Sequence, residues 1–161
     1  MLVFSLCMVV AMLAGGCGNA FKLDMRHTTA PTATVSAIRL AEQTADGVRV
    51  EVDVELENPN DFELPLPKCD YTIAVNGAGE FSFNDVPLRT LPASGTQTLT
   101  LVAAFAHDRG DLVGANCSVS GSVTYDPPGS VRMLLTESRV PLTWVSFSGK
   151  GALTTGRNAG R

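Results

Sequence analysis

The sequence contains no run of lysine and arginine and no basic patch. Its 12 cations are outnumbered by 16 acids, giving a net charge of −4 and a pI near 5.1. Nucleic-acid binding needs a basic stripe, so nucleic acid is excluded as a partner. Histidine is scarce: only His27 and His107 occur, and neither has a ligand partner at metal-binding spacing. No metal site and no cofactor are therefore expected. Gly-x-Ser-x-Gly, a phosphate loop and Cys-x-x-Cys are all missing, which removes the common local signatures of hydrolytic, nucleotide-dependent and redox chemistry. The expectation is a protein that is not an enzyme. No long amphipathic stretch is present to serve as a crossover helix, which argues against a parallel α/β fold. Tryptophan occurs once, and Trp144 reads as core or sheet packing rather than as a ligand platform.

What the chain does have is strand pattern and punctuation. With 161 residues, 45% of them hydrophobic, it can bury one domain core and carry extra segments besides. The organising stretch is Gly47 to Phe62, GVRVEVDVELENPNDF. Val48, Val50, Val52, Val54 and Leu56 alternate without a break with Arg49, Glu51, Asp53, Glu55 and Glu57. Side chains of a strand point alternately to opposite faces, so one face is aliphatic and the other charged. At helical spacing the same residues would scatter charge around the axis. Asn58-Pro59-Asn60-Asp61 then ends the strand, because proline removes a ladder donor while Asn and Asp bond nearby backbone in turns.

Fifteen glycines and nine prolines separate further short apolar runs, as suits an all-β domain. Val35–Ala41 is a first strand. Leu64 and Leu66 alternate with prolines, extended but unfit for a central position. Cys69, Tyr71, Ile73 and Val75 form another strand, closed by Asn76-Gly77, a hairpin signal in which both residues tolerate positive φ. Phe81 and Phe83 lie on the return, followed by Thr96–Phe105. His107–Gly114 loses the alternation, and Asp108 could cap a short helix there. Cys117, Val119, Val123 and Tyr125 share a face, and Met133–Leu135 and Val140–Phe147 complete the set, with Pro141 suggesting an edge. About seven short strands with turns every 8–12 residues predict an antiparallel two-sheet sandwich.

The first 16 residues carry no charge. This run is shorter than the roughly 20 residues of a membrane span and fits the apolar region of an export signal. Leu13-Ala14-Gly15-Gly16-Cys17-Gly18 resembles a bacterial lipobox, with two departures: Ala14 stands where Leu is usual, and no Lys or Arg precedes the apolar run. The resemblance implies cleavage before Cys17, lipidation of Cys17, and the membrane as a partner through that lipid. Three acyl chains would anchor stably where one would not. Gly18, in place of the usual retention Asp, implies the outer membrane, facing the periplasm. The alternative is an ordinary signal peptide or N-terminal anchor with a chance cysteine. Residues 17–34 then read as a lipidated N-terminus and tether, 35–151 as the sandwich, and 152–161 as a frayed tail that begins to lose pattern at Lys150.

Three further groups could carry function. Asn58, Asn60 and Asp61 offer either a recognition loop or a cation site, and the plainer reading is a turn that bonds its own backbone. Glu51, Asp53, Glu55 and Glu57 on one face lack oxygens converging from other segments, as calcium needs. They read as a solvated face that also resists edge-to-edge aggregation. Cys69 and Cys117 both fall on core-facing positions. In an oxidising compartment they could pair, for roughly 4 kcal/mol, or remain buried thiols.

Taken together, Val48…Leu56, Asn58-Pro59-Asn60, Leu64-Pro65-Leu66, Tyr71-x-x-x-Val75-Asn76-Gly77, Leu91-Pro92-Ala93-x-Gly95 and Val140-Pro141-Leu142 resemble the group-2 late-embryogenesis-abundant (LEA type 2) proteins. Their shared module is the water stress and hypersensitive response (WHy) domain. The resemblance spans about Val35 to Gly151. It implies a sandwich of immunoglobulin or fibronectin-III type with one short helix, an association with desiccation or other stress, and no enzyme activity. It makes Asn58, Pro59 and Asn60 a family motif. The rival expectation is an envelope binding module, either for an acyl chain in a cleft flanking Trp144 and Phe147 or for a protein at a sheet edge.

Overall fold

In the computed structural model, residues 28–85, 89–107, 110–129 and 143–155 are described, together with Glu137. The alternation of the organising stretch is realised as β2 (Gly47–Glu57), whose Val48, Val50, Val52, Val54 and Leu56 are all buried. It is a central strand. On one side lies β1 (Thr32–Gln43), and on the other β7 (Thr96–Ala106), both antiparallel to it. β7 runs in unbroken register from Gly47↔Ala106 to Glu57↔Thr96, which sets Leu99, Leu101, Ala103 and Phe105 beside the inward valines.

The second sheet contains β4 (Lys68–Val75), β5 (Gly79–Asp85), β8 (Asn116–Tyr125) and β9 (Thr143–Ala152) in the order β5-β4-β8-β9, all antiparallel. Its inward residues, among them Tyr71, Ile73, Val119, Val123 and Phe147, share one core with those of the first sheet. β3 (Leu64–Leu66) and β6 (Arg89–Leu91) form a separate two-stranded ribbon, with Leu64, Leu66 and Leu91 buried. The protein is thus an all-β sandwich, as the strand pattern predicts, with its long strands all paired antiparallel.

Both open sides of the sandwich are bridged, although a groove of about 560 Å³ remains between Ala33–Ile38 of β1 and Ser146–Ala152 of β9. At the β5/β7 side, the Tyr71 hydroxyl donates to the Val102 carbonyl oxygen at 2.8 Å. Phe81 meets Phe105 edge-on, with ring centroids 6.3 Å apart. At the β1/β9 side the chain itself crosses over. Beyond β9, Leu153 is buried, its N–H donates to the Ala115 oxygen, and its own oxygen accepts from Gly114 N–H. β10 (Thr154–Thr155) then pairs parallel with Arg39 and Leu40 of β1. Lys150–Thr155 is therefore ordered, contrary to the expected fraying. Buried Leu153, whose backbone is bonded on both sides, overrides the weak local pattern.

Three other expectations change. β1 starts at Thr32 rather than Val35, since Pro31 is already buried and partly buried Ala33 already packs against the core. The Asn76-Gly77 hairpin uses a three-residue loop joining Val75↔Gly79. Gly77 (φ 92°) and Gly79 (φ 111°) take the positive angles, and Asn76 does not. Residues 110–115 form a turn closed by Ala115 N–H to the Leu112 oxygen rather than a helix. Asp108, Met133–Leu135 and Pro141 lie outside the described residues, while Glu137 is helical.

Candidate functional site

Asn58 and Asn60 are polar residues packed almost as tightly as the core, 1% and 6% exposed, while Pro59 between them is exposed. The Asn58 amide nitrogen donates to the Phe62 oxygen at 2.7 Å and the Pro92 oxygen at 3.0 Å. Its side-chain oxygen accepts from the backbone and side-chain nitrogens of Asn60, at 3.0 and 2.8 Å. Asn60 in turn bonds both polar backbone groups of Thr29, accepting from its N–H and donating to its oxygen, each at 2.8 Å. The Asn60 backbone oxygen accepts from Ser94 N–H at 2.7 Å, and Ser94 is held there at a φ of 47°. Both amides are thus committed to protein partners, as buried amides must be. The motif knots three segments together. It is not an open recognition loop, and it does more than bond its own turn.

The acidic face of β2 is neutralised from β1. The Arg39 guanidinium donates to Glu51 at 3.0 Å and grips both oxygens of Asp53. Thr100 on β7 adds a hydroxyl to Asp53 at 2.8 Å, and Arg49 reaches Glu51 at 3.4 Å. The Arg39 bonds, then that of Thr100, hold the Asp53 carboxyl below its ordinary range. The same Asp53 contact raises Arg39 above its own. Glu51 and Asp53 are half-buried and paired, which corrects the expectation of a merely solvated face; only Glu55 and Glu57 are exposed. Since β2 is central, the face does not guard a sheet edge either.

Cys69 and Cys117 are both buried, as their parity requires. They are not bridged to each other. Cys69 pairs across the ladder with Val123 and Cys117 with Val75, so the two lie six rungs apart, about 20 Å along the strands. A disulfide requires Cα atoms within about 7 Å. Of the two readings, pairing fails on register, which alternation does not reveal. Burial pushes the Cys117 thiol up. Cys17 and the lipobox lie outside the described residues. His107 is buried at the end of β7, where its N–H donates to the Asp46 oxygen.

The outer face of the second sheet is unlike the rest. Its rungs carry small polar side chains, most of them hydroxyls, across all four strands: Ser82, Thr72, Ser120 and Ser148 in one row, then Asn84, Asp70, Ser122 and Ser146 in the next. Thr72 and Ser82 bond each other at 2.8 Å. Trp144 stands above this face, 59% exposed. Phe147, 5% exposed, lies on the opposite face of β9 inside the core. The two aromatic residues flank no common cleft, and Trp144 is not packing. The signal was present in the sequence: residues an odd number apart on a strand cannot share a face. An open groove of about 640 Å³ runs over the face, lined by Asp70, Thr72, Ser122, Trp144 and Ser146 among others.

No family model and no curated protein sequence matches the chain. Solved structures do. A protein assigned provisionally to the LEA class, At2g46140.1, superposes with a TM-score of 0.53 at 20% identity, covering 80% of this chain and 74% of that one. AT1g01470 from Arabidopsis thaliana superposes with a TM-score of 0.54 at 19% identity, covering 86% of this chain and 91% of that one. At such identities the likeness concerns architecture, and the architecture is shared over most of both chains. The domain has the LEA type 2 (WHy) fold.

Proposed function

We propose that the chain is a non-enzymatic, lipid-anchored envelope protein whose WHy domain protects its surroundings during desiccation or other envelope stress. The observation that carries this reading is the form of the sandwich. Its core is filled from both sheets, both open sides are bridged, and its outer faces are mostly polar. A filled core with charged and hydroxyl-bearing outer faces presents water-ordering groups to its surroundings. The lipobox-like Leu13–Cys17 supplies the anchor, with Cys17 lipidated and the domain held at the outer membrane facing the periplasm. Among the described residues, no group of His, Cys, Asp and Glu is arranged to hold a metal, and no helix is long and apolar enough to cross a membrane.

The test is survival of a deletion strain under drying and osmotic shock, complemented by wild type or by Cys17→Ala. The expected outcome is loss of survival restored by wild type alone, with radiolabelled fatty acid entering wild type but not the variant. Unimpaired survival of the deletion strain would refute the protective role. Label entering Cys17→Ala would refute the anchor.

A further inference from the structure

The outer face of β5-β4-β8-β9 carries one large apolar side chain, Trp144, amid rows of hydroxyls and amides. Its outward charges are Lys68, Asp70, Glu80 and Lys150, two of each sign, and Lys68 pairs with Asp70 at 2.7 Å. The face is therefore neutral on a chain whose net charge is −4.

That neutrality narrows the occupant. Anionic lipid headgroups and nucleic acid require a basic surface, which is not here. An acyl chain requires a continuous apolar channel. A protein partner would meet a surface dominated by serine, a residue depleted from interface cores. What remains is a ligand with many hydroxyls, no charge and a flat apolar side. A pyranose ring has that character: its axial C–H groups form an apolar face that stacks on an indole, and its equatorial hydroxyls radiate in the ring plane.

The geometry suits an extended chain of such rings. Trp144 stands about 7 Å along β9 from Ser146. Ser146 begins a row that continues through Ser122 and Asp70 to Asn84 at intervals of about 4.8 Å. A ring stacked on Trp144 thus has its neighbours laid along a row offering donors and acceptors in turn. Ser120, Ser122 and Ser146 make no side-chain hydrogen bond among the described residues, so their hydroxyls are available to a ligand. We infer that this face is a binding platform for an uncharged, extended polysaccharide, with Trp144 as the stacking residue and Asp70, Asn84, Ser122 and Ser146 as its hydrogen-bonding row. The inference is independent of lipid anchoring and of any role in stress.

Trp144 is the only tryptophan of the chain, so its emission reads the site directly. Full-length protein in detergent is titrated with cellohexaose, chitohexaose and mannohexaose, each to about 10 mM, and with phosphatidylglycerol vesicles as the anionic arm. The expected result is a saturable change in Trp144 emission with at least one neutral oligosaccharide. By calorimetry that binding weakens about tenfold or more in Trp144→Ala and is partly retained in Trp144→Phe. Ser122→Ala combined with Ser146→Ala weakens it further, with the far-ultraviolet circular dichroism unchanged. Three outcomes overturn the inference: no neutral oligosaccharide saturates the signal, binding is undiminished in folded Trp144→Ala, or only the vesicles shift the emission.

Discussion

Asp53 shows how one residue on a charged face acquires a structural role. Its carboxylate is held by Arg39 from β1 and by Thr100 from β7, so it ties the three long strands of its sheet together on the side away from the core. These bonds lower its folded pKa below the unfolded value. A carboxyl so depressed contributes stability that is fully present above the unfolded pKa of about 3.9 and is lost as pH falls through the folded one. Asp53→Asn is therefore expected to cost roughly 1 kcal/mol at pH 7. The gap between the variant and wild type should begin to shrink once pH falls below the unfolded value and close as pH passes through the lower folded one, as urea midpoints across the pH range would show. A pH-independent gap would mean that packing, not charge, dominates. The alternation made the outward position of Asp53 legible, but not its partners. Arg39 is 14 residues away and Thr100 is 47, so only the strand order brings them together. The same distance hid the reach of Asn58 and Asn60. Their turn chemistry is local and readable, while Pro92 and Thr29 lie 34 and 31 residues off.

At the scale of the element, β2, β4, β7 and β8 were legible because a period of two survives any tertiary context that buries one face. β9 was legible only in part. Its inward positions read Val145, Phe147, Gly149 and Gly151, and the two glycines look like the loss of pattern that ends a strand. They are places where β1 comes close. A Cβ on Gly149 would sit 2.8 Å from the Val35 Cβ, while one on Gly151 would meet nothing nearer than the end of Ile38 at 3.6 Å. The two positions therefore predict opposite results for one substitution. Gly149→Ala should destabilise by about 1–3 kcal/mol through overpacking. Gly151→Ala, in ordinary van der Waals contact, should be neutral or stabilise by up to about 1 kcal/mol by restricting the unfolded chain. Thermal midpoints of the two variants settle it, and equal destabilisation would mean that β1 and β9 approach elsewhere. Gly121 belongs to the same class. Its missing Cβ leaves room for the Phe147 ring and the Asp70 oxygen, each 2.5 Å from where that atom would be.

For the whole molecule, the sandwich has two seams and closes them by different means. On the β1/β9 side a strand crosses from one sheet to the other, so closure is built into the backbone ladder of β10. On the β5/β7 side no strand among the described residues crosses. The described contacts there are those of side chains, with the Tyr71 hydroxyl on the Val102 oxygen and Phe81 against Phe105. With Cys69 and Cys117 six rungs apart, no covalent bond between them supplements either seam. The asymmetry makes the β5/β7 side the weaker one. Tyr71→Phe keeps the ring in the core and deletes only the hydroxyl, leaving the Val102 oxygen on the exposed flank of edge strand β7. The expected cost is about 1 kcal/mol, the net worth of one such hydrogen bond, with an unchanged urea m-value because no core surface is lost. Hydrogen exchange locates the effect. Amides of β5 and β7 should exchange faster in the variant through local opening of that seam, while those of β1, β9 and β10 keep wild-type protection. Uniform acceleration along all strands would show instead that the two seams open together and that the sandwich yields only as a unit.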